Sequence, residues 1–343
     1  MSLWIIDKEA VVAFVAKMMS DYRVVGPMAK GPQFAFGQIE DPADLRLDYN
    51  TSILPPKKYL LPQEERTLTF KRNGGAKVEA VIEAEPTVIL GVHTCDLHAM
   101  RVLDEAFSQG YPDAHYLERR RQTLLIGLEC LKPCDEHSFC KSMGTLTISH
   151  GYDLHLTDLG ESYAVDVGSE GGKALLEKYT ETRLATEADM QQLNKVLGAK
   201  WPRFPYKLDF DVGELPAVMS QAYDSPLWDE LAEICLACGT CTNVCPTCFC
   251  FNVYDEVELN LQNGERRRRW DSCQLDEFAR VAAGENFRER QAARLRHRFM
   301  RKGRYLIRKY DALGCVGCGR CARLCLVDIS PVNVFNNLQR ART

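Results

Sequence analysis

The chain has 343 residues, room for about two domains at roughly 150 residues each. Hydrophobic residues make up 45% and charged residues 26%, with a formal net charge of −4 at pH 7, which excludes the disordered, collagenous and coiled-coil classes. The fifteen cysteines are odd in number and too dilute for a small disulfide scaffold, so most of these thiols serve another chemistry.

In chain order, Met1–Lys8 lacks the basic stretch and long apolar core of a secretory signal. The apolar runs, Thr87–Val92 among the longest, are far short of the ~20 residues of a membrane span. The expectation is a cytoplasmic protein without membrane contact, with reduced thiols, where cysteine clusters mean metal or catalysis. Asp7 is placed to cap a helix running to Ser20, whose apolar face is Val11, Val12, Phe14, Val15, Met18 and Met19. Thr87–Val92 and Thr123–Leu128 are apolar runs of the kind found in buried strands, and Asp96–Phe107 between them has helical spacing. Residues 144–170 read as hairpin material with turns at Gly151, Gly160 and Gly168, and residues 173–199 as helix. Pro202, Pro205, Pro216 and Pro226 then interrupt regular structure. They place a boundary between a mixed α/β domain, residues 1–215, and a second domain, residues 216–343. There is no Gly-x-Gly-x-x-Gly or Walker loop, and Gly171-Gly172-Lys173 is too short to be either. Binding of nicotinamide or ATP by those routes is not expected.

Eleven of the cysteines fall between Cys235 and Cys325. Cys235-Leu-Ala-Cys238-Gly-Thr-Cys241-Thr-Asn-Val-Cys245-Pro246 is the C-x2-C-x2-C-x3-C-P run of bacterial [4Fe–4S] ferredoxins. Cys315-Val-Gly-Cys318-Gly-Arg-Cys321-Ala-Arg-Leu-Cys325 repeats the spacing, with Leu326 in place of the proline. Three thiolates two residues apart wrap one face of a cubane, and Gly239 and Gly319 let the backbone approach. The fourth cysteine lies too far round the turn and ligates the other cluster in two-cluster ferredoxins. One cluster is therefore expected on Cys235, Cys238, Cys241 and Cys325, and a second on Cys315, Cys318, Cys321 and Cys245. Structural zinc is the alternative, but zinc sites typically use paired C-x2-C knuckles. The fold expected is an α/β N-terminal domain followed by an α-helical, bacterial-type dicluster ferredoxin domain carrying the long insertion 246–314. Cys248, Cys250 and Cys273 in that insertion are spare ligands, neighbours of a cluster or inert buried thiols.

The strand reading also brings together two N-terminal loops, Cys95 in one and Cys130, Cys134 and Cys140 in the other. Strand ends of this kind hold ligands in open α/β sheets. These four thiols could take a third [4Fe–4S] cluster, a zinc ion or nothing. His93, His98 and His137 stand nearby, although a lone histidine is more often simply hydrogen-bonded.

Gly264–Tyr310 contains fifteen Arg and Lys against six Asp and Glu, a local +9. Three uses are open: offsetting anionic clusters and docking an acidic partner, binding nucleic acid, or a solvated helix face across residues 288–309. The first is favoured because the stretch lies between the cysteine runs, and no nucleic-acid partner is expected.

Asn50–Tyr59 (with Leu54-Pro55-Pro56-Lys57-Lys58), Gly91–Asp96, Cys245–Cys250, Arg269–Cys273 and Cys315–Cys321 together resemble the iron–sulfur β subunit of soluble NiFe hydrogenases of the sulfhydrogenase type. The A subunit of anaerobic sulfite reductase is similar at most of these points. The resemblance spans nearly the whole chain and implies an electron carrier, not itself catalytic. Its implied partners are a flavin- and NAD(P)-binding subunit, which would hold the FAD, and the small and large NiFe subunits or an equivalent redox module. A sulfite reductase-type complex, or a structural iron–sulfur subunit carrying no current, are the alternatives. Relatives tend to have a cysteine two residues before the position of Cys140; Ser138 stands there in this chain, which makes Cys134 the compensating ligand if the set holds a cluster. The family also keeps cysteines matching Cys248, Cys250 and Cys273, which favours a role near the clusters.

Overall fold

A computed structural model describes residues 3–72 and 77–342. Its strands are β1 (Trp4–Asp7), β2 (Arg23–Lys30), β3 (Gln33–Gln38), β4 (Glu64–Lys71), β5 (Lys77–Ala80), β6 (Thr87–His93), β7 (Thr123–Leu128), β8 (Leu154–Asp158), β9 (Ser162–Val167), β10 (Arg183–Leu184), β11 (Phe251–Val257) and β12 (Asn263–Trp270). Eight of them form one mixed sheet in the order β10-β1-β9-β8-β7-β6-β2-β3. Its centre, β2, β6, β7 and β8, is parallel, with antiparallel strands on both flanks. Every residue of β6 is buried, as befits a central strand covered on both faces. The return from β6 to β7 passes through the helices Thr94–Ser108 and Ala114–Arg121, the crossover that parallel neighbours require. Val15 and Met18 from helix Lys8–Met18, and Leu97 and Leu103 from Thr94–Ser108, pack with Val88, Ile89, Leu125 and Ile126 into the main core.

Three local expectations are corrected. Asp7 precedes the first helix, but its side chain makes no capping bond. The hairpin in 144–170 is only β8–β9 turning at Gly160, whereas 144–153 is irregular. Residues 173–199 are not one helix: Glu170–Tyr179, capped by Ser169, and Glu187–Lys200, opened by a Thr186–Asp189 capping box, flank β10.

The insertion also departs from an all-helical reading. It opens with the β11–β12 hairpin, which joins β4 and β5 in a second, antiparallel sheet ordered β11-β12-β4-β5. The four consecutive arginines Arg266–Arg269 hide this strand in the sequence because they read as charge. In β12, Arg268 is buried and its guanidinium bonds Glu65 (Nε to Oε1 2.8 Å) and Asp113, while Arg119 bonds the same Glu65. A paired, fully hydrogen-bonded charge can be buried where a lone one cannot. The remaining C-terminal elements are helical, and Leu215, Val218, Met219, Trp228, Leu295, Phe299 and Phe335 form a second core. No helix among the described residues is long and apolar enough to cross a membrane.

Candidate metal centres

The two cysteine runs fold alike. Gly239 and Gly319 both adopt φ 76°, left-handed backbone, and each opens a single helical turn, Thr240–Asn243 and Arg320–Arg323. The turn swings the third cysteine of each run back toward the first two. Cys235, Cys238, Cys241 and Cys325 line one cavity, together with Leu236, Leu326 and Arg298. Backbone amides already point at two of these sulfurs, Ala237 N to Cys235 Sγ and Ile329 N to Cys325 Sγ, each at 3.4 Å. Cys238 is the exposed member of the fifteen.

Cys315, Cys318 and Cys321 form a second group with Cys245, whose charge acts on each of the three. Burial pushes the Cys315 and Cys318 thiols up to about 12. Cys245 goes the other way: a hydrogen bond from Cys248, then Lys302, Thr247 and Lys57, hold it well below the ordinary thiol value despite its burial. Lys57, from the Leu-Pro-Pro-Lys-Lys segment, is buried and donates to the carbonyls of Cys245 (2.7 Å) and Cys248 while its ammonium lies 4.4 Å from the centre of the Trp270 ring. Burial lowers its ammonium to about 8.

The carboxyl ends of β6 and β7 bring the N-terminal cysteines together. Cys95 and Cys140 are buried, and Cys130 and Cys134 half-buried. Cys130 is raised first by burial and then by the charges of Cys134 and Cys140, and Cys95 feels both Cys130 and Cys318. Burial drives Cys134 up to about 12 and Cys140 up to about 11. The histidines have ordinary partners. His93 stacks on Tyr49 with ring centres 4.2 Å apart, His98 Nε2 meets Thr147 O at 2.7 Å, and His137 lies 3.5 Å from Glu136. His93 Nδ1 also stands 4.0 Å from Cys134 Sγ.

The second run is seated on the loop that carries Cys130–Cys140. Phe139 N donates to Gly317 O at 2.7 Å, and Thr145 Oγ1 donates to Val316 O at 2.6 Å. Arg323 pairs with Asp135. Arg320 is wholly buried: its guanidinium makes two 2.7 Å bonds to the Asp96 carboxylate and bonds Ser52 O at 3.0 Å. Cys95 packs against Val316 and Cys318. The approach is close enough to demand glycine, since a Cβ on Gly317, at φ 66°, would sit 2.7 Å from the Cys140 backbone. G317A is accordingly expected to lose at least ~1–2 kcal/mol from the left-handed backbone alone. G198A, with open space inside helix Glu187–Lys200, should instead gain up to ~1 kcal/mol. Thermal unfolding of the pair checks both signs.

The surplus cysteines lie between the two groups: Cys248 stands beside Cys245 of the second, and Cys273 beside Cys241 of the first. Lys302 Nζ reaches both Cys245 Sγ (3.1 Å) and Cys248 Sγ (3.2 Å), and Cys250 and Cys273 are hydrogen-bonded to each other. The basic stretch is largely consumed internally. Arg266 and Arg267 pair with Asp255, Glu256, Glu64 and Glu265, and Arg294 with Asp276. Arg294, Arg298 and Lys302 are buried, which corrects the solvated-face reading of 288–309.

A 4Fe-4S dicluster domain matches residues 234–329. Over 321 residues, 92% of each chain, the sequence is 33% identical to "Sulfhydrogenase 2 subunit beta" of Pyrococcus furiosus. The chain belongs to the sulfhydrogenase β-subunit family. No solved structure matches it. Within this β-subunit chain, sequence spacing pointed to the thiols, but it missed Asp96, Lys57, Arg298 and Lys302 as their neighbours. Arg320 carried a signal, a charge set between two ligand cysteines; Arg298 and Lys302 carried another, basic residues four apart in one basic run.

Proposed function

We propose that this β subunit is a one-electron relay with three [4Fe–4S] sites, held by Cys235/Cys238/Cys241/Cys325, by Cys245/Cys315/Cys318/Cys321 and by Cys95/Cys130/Cys134/Cys140. Such clusters, when bound, supply reversible one-electron exchange at potentials set by charge, hydrogen bonds and burial. The observation that carries the reading is that the three thiol groups form one continuous series. Cys95 packs on Cys318 of the second group, and Arg298 faces Cys241 of the first group and Cys321 of the second. The series reaches solvent at Cys238. The donor chemistry fits: the buried thiols would ligate as thiolates, and amides and cations stand ready to receive their charge. Among the described residues no three His, Cys, Asp or Glu side chains converge tightly enough for one metal ion.

The chain would exchange electrons with a flavin- and NAD(P)-binding subunit on one side and a NiFe hydrogenase module on the other, in a cytoplasmic complex. The test is anaerobic purification of the complex, followed by iron analysis and EPR after adding NAD(P)H or hydrogen. About 12 irons on this chain and reduced-cluster signals within the turnover time are expected. About 8 irons would remove the third site, and EPR silence would leave a structural role.

A further inference from the structure

Two cations are buried between the cysteine runs, one helical turn apart. Arg298 lies in the last turn of the helix Gln291–Met300, and Lys302 in the five-residue π-helical segment Arg301–Tyr305 that follows. Insertions of this wider turn recur at functional sites because they re-aim side chains out of helical register. Arg298 is 3% exposed and Lys302 6%. Neither pairs with a carboxylate among the described residues. The charges acting on Arg298 are those of Cys241, Cys321, Cys245 and Cys248, and on Lys302 those of Cys245, Cys248 and Cys315. A buried cation without a counter-charge is strongly unfavourable, so the thiolates of bound clusters are its natural counter-ions.

The Lys302 ammonium is held in place. Its Nζ donates to Thr247 Oγ1 at 2.7 Å, and that hydroxyl in turn donates to Gly314 O at 2.6 Å. The remaining donors face Cys245 Sγ at 3.1 Å and Cys248 Sγ at 3.2 Å. Cys325 occupies the equivalent place in the other run, yet it receives only the neutral Ile329 amide and is half-buried. The two sites share a spacing and a backbone turn, and what sets the second apart at its sulfurs is the Lys302 ammonium, with Lys57 behind it on the Cys245 and Cys248 carbonyls.

We propose that Lys302 breaks the equivalence of the two ferredoxin-type clusters by raising the reduction potential of the one ligated by Cys245 above that of its neighbour. The sign follows from charge. Reduction adds an electron to an already anionic, thiolate-ligated site, and a cationic donor on a ligand sulfur stabilises that reduced form most. The proposal rests on the cluster assignment above, and its test separates the two.

The experiment is a potentiometric titration of the full-length chain, purified anaerobically and followed by EPR and visible bleaching, with the Cys245 signal identified by its weakening in C245S. Lys302→Met should keep its iron and show that signal appearing at lower potential, closer to its neighbour's, while Lys302→Arg keeps the native order. Unchanged midpoints in an iron-replete K302M, or equal shifts in K302M and K302R, would overturn the proposal. If K302M loses iron, Lys302→Gln carries the test by keeping a polar side chain at this place without its charge. A downward shift supports the proposal and an unmoved midpoint defeats it. Iron below about 8 in the native chain would defeat the cluster assignment instead.

Discussion

Replacing Cys134 by serine is expected to lower the iron content from about 12 to about 8 per chain while leaving the two ferredoxin-type EPR signals in place. The physical case rests on where the loop puts the sulfur. Cys134 is half-buried, 4.0 Å from His93 Nδ1, with the charges of Cys140 and Arg320 acting on it. A serine hydroxyl keeps the size of the side chain but does not ionise to a soft ligand, so a cluster would lose one of four bonds. The loop itself should survive. It is anchored by Arg323 on Asp135, by the Asp135 carboxylate accepting from His137 N (2.8 Å) and by Phe139 N on Gly317 O. Full iron in C134S, measured on anaerobically purified protein, would take the ligand role away from this residue. Loss of iron well beyond one cluster would show that the three sites assemble together.

The second large effect is expected at Arg320 and Asp96. R320M leaves the Asp96 carboxylate, 1% exposed, without its partner, and D96N leaves an equally buried guanidinium. Removing one member of such a pair typically costs about 3–5 kcal/mol, because the survivor stays desolvated and uncompensated. The double variant R320M/D96L should recover much of that loss, since it removes both charges. Denaturant midpoints of the two single variants and the double variant give the coupling directly. Equal and additive losses would mean the ion pair is not the reason for the arrangement. Because Asp96 follows Cys95 and Arg320 precedes Cys321, the same variants should also loosen the third site against the second. The expected sign is iron loss from the N-terminal cysteines before the others.

The contrast between what could and could not be read in advance follows the range of the interactions. The two C-x2-C-x2-C-x3-C runs, the strands at β6 and β7 and the helix between them depend on spacing within a dozen residues, and local spacing is written in the order of the residues. The pairing of β12 with β4 depends on partners some two hundred positions away, and four arginines in a row conceal a strand whose buried guanidinium is affordable only with Glu65 and Asp113 beside it. The helix expected over 173–199 broke for a more local reason, because Thr186 and Asp189 cap a new start that apolar periodicity does not register.

The sequence by itself determined that the thiols are too many and too regularly spaced for disulfides, that two runs repeat one ferredoxin pattern, and that four further cysteines stand at strand ends. Only the tertiary structure decided which charges meet those thiols. It seats the second run on the Cys130–Cys140 loop through Arg320, Asp96 and Gly317, and it turns a basic stretch inward so that Arg298 and Lys302 face cysteine sulfurs. The physical reason is that ligand spacing is a property of a short segment, whereas burying a charge needs a partner, and in this chain the partners come from distant segments brought together by two shared cores.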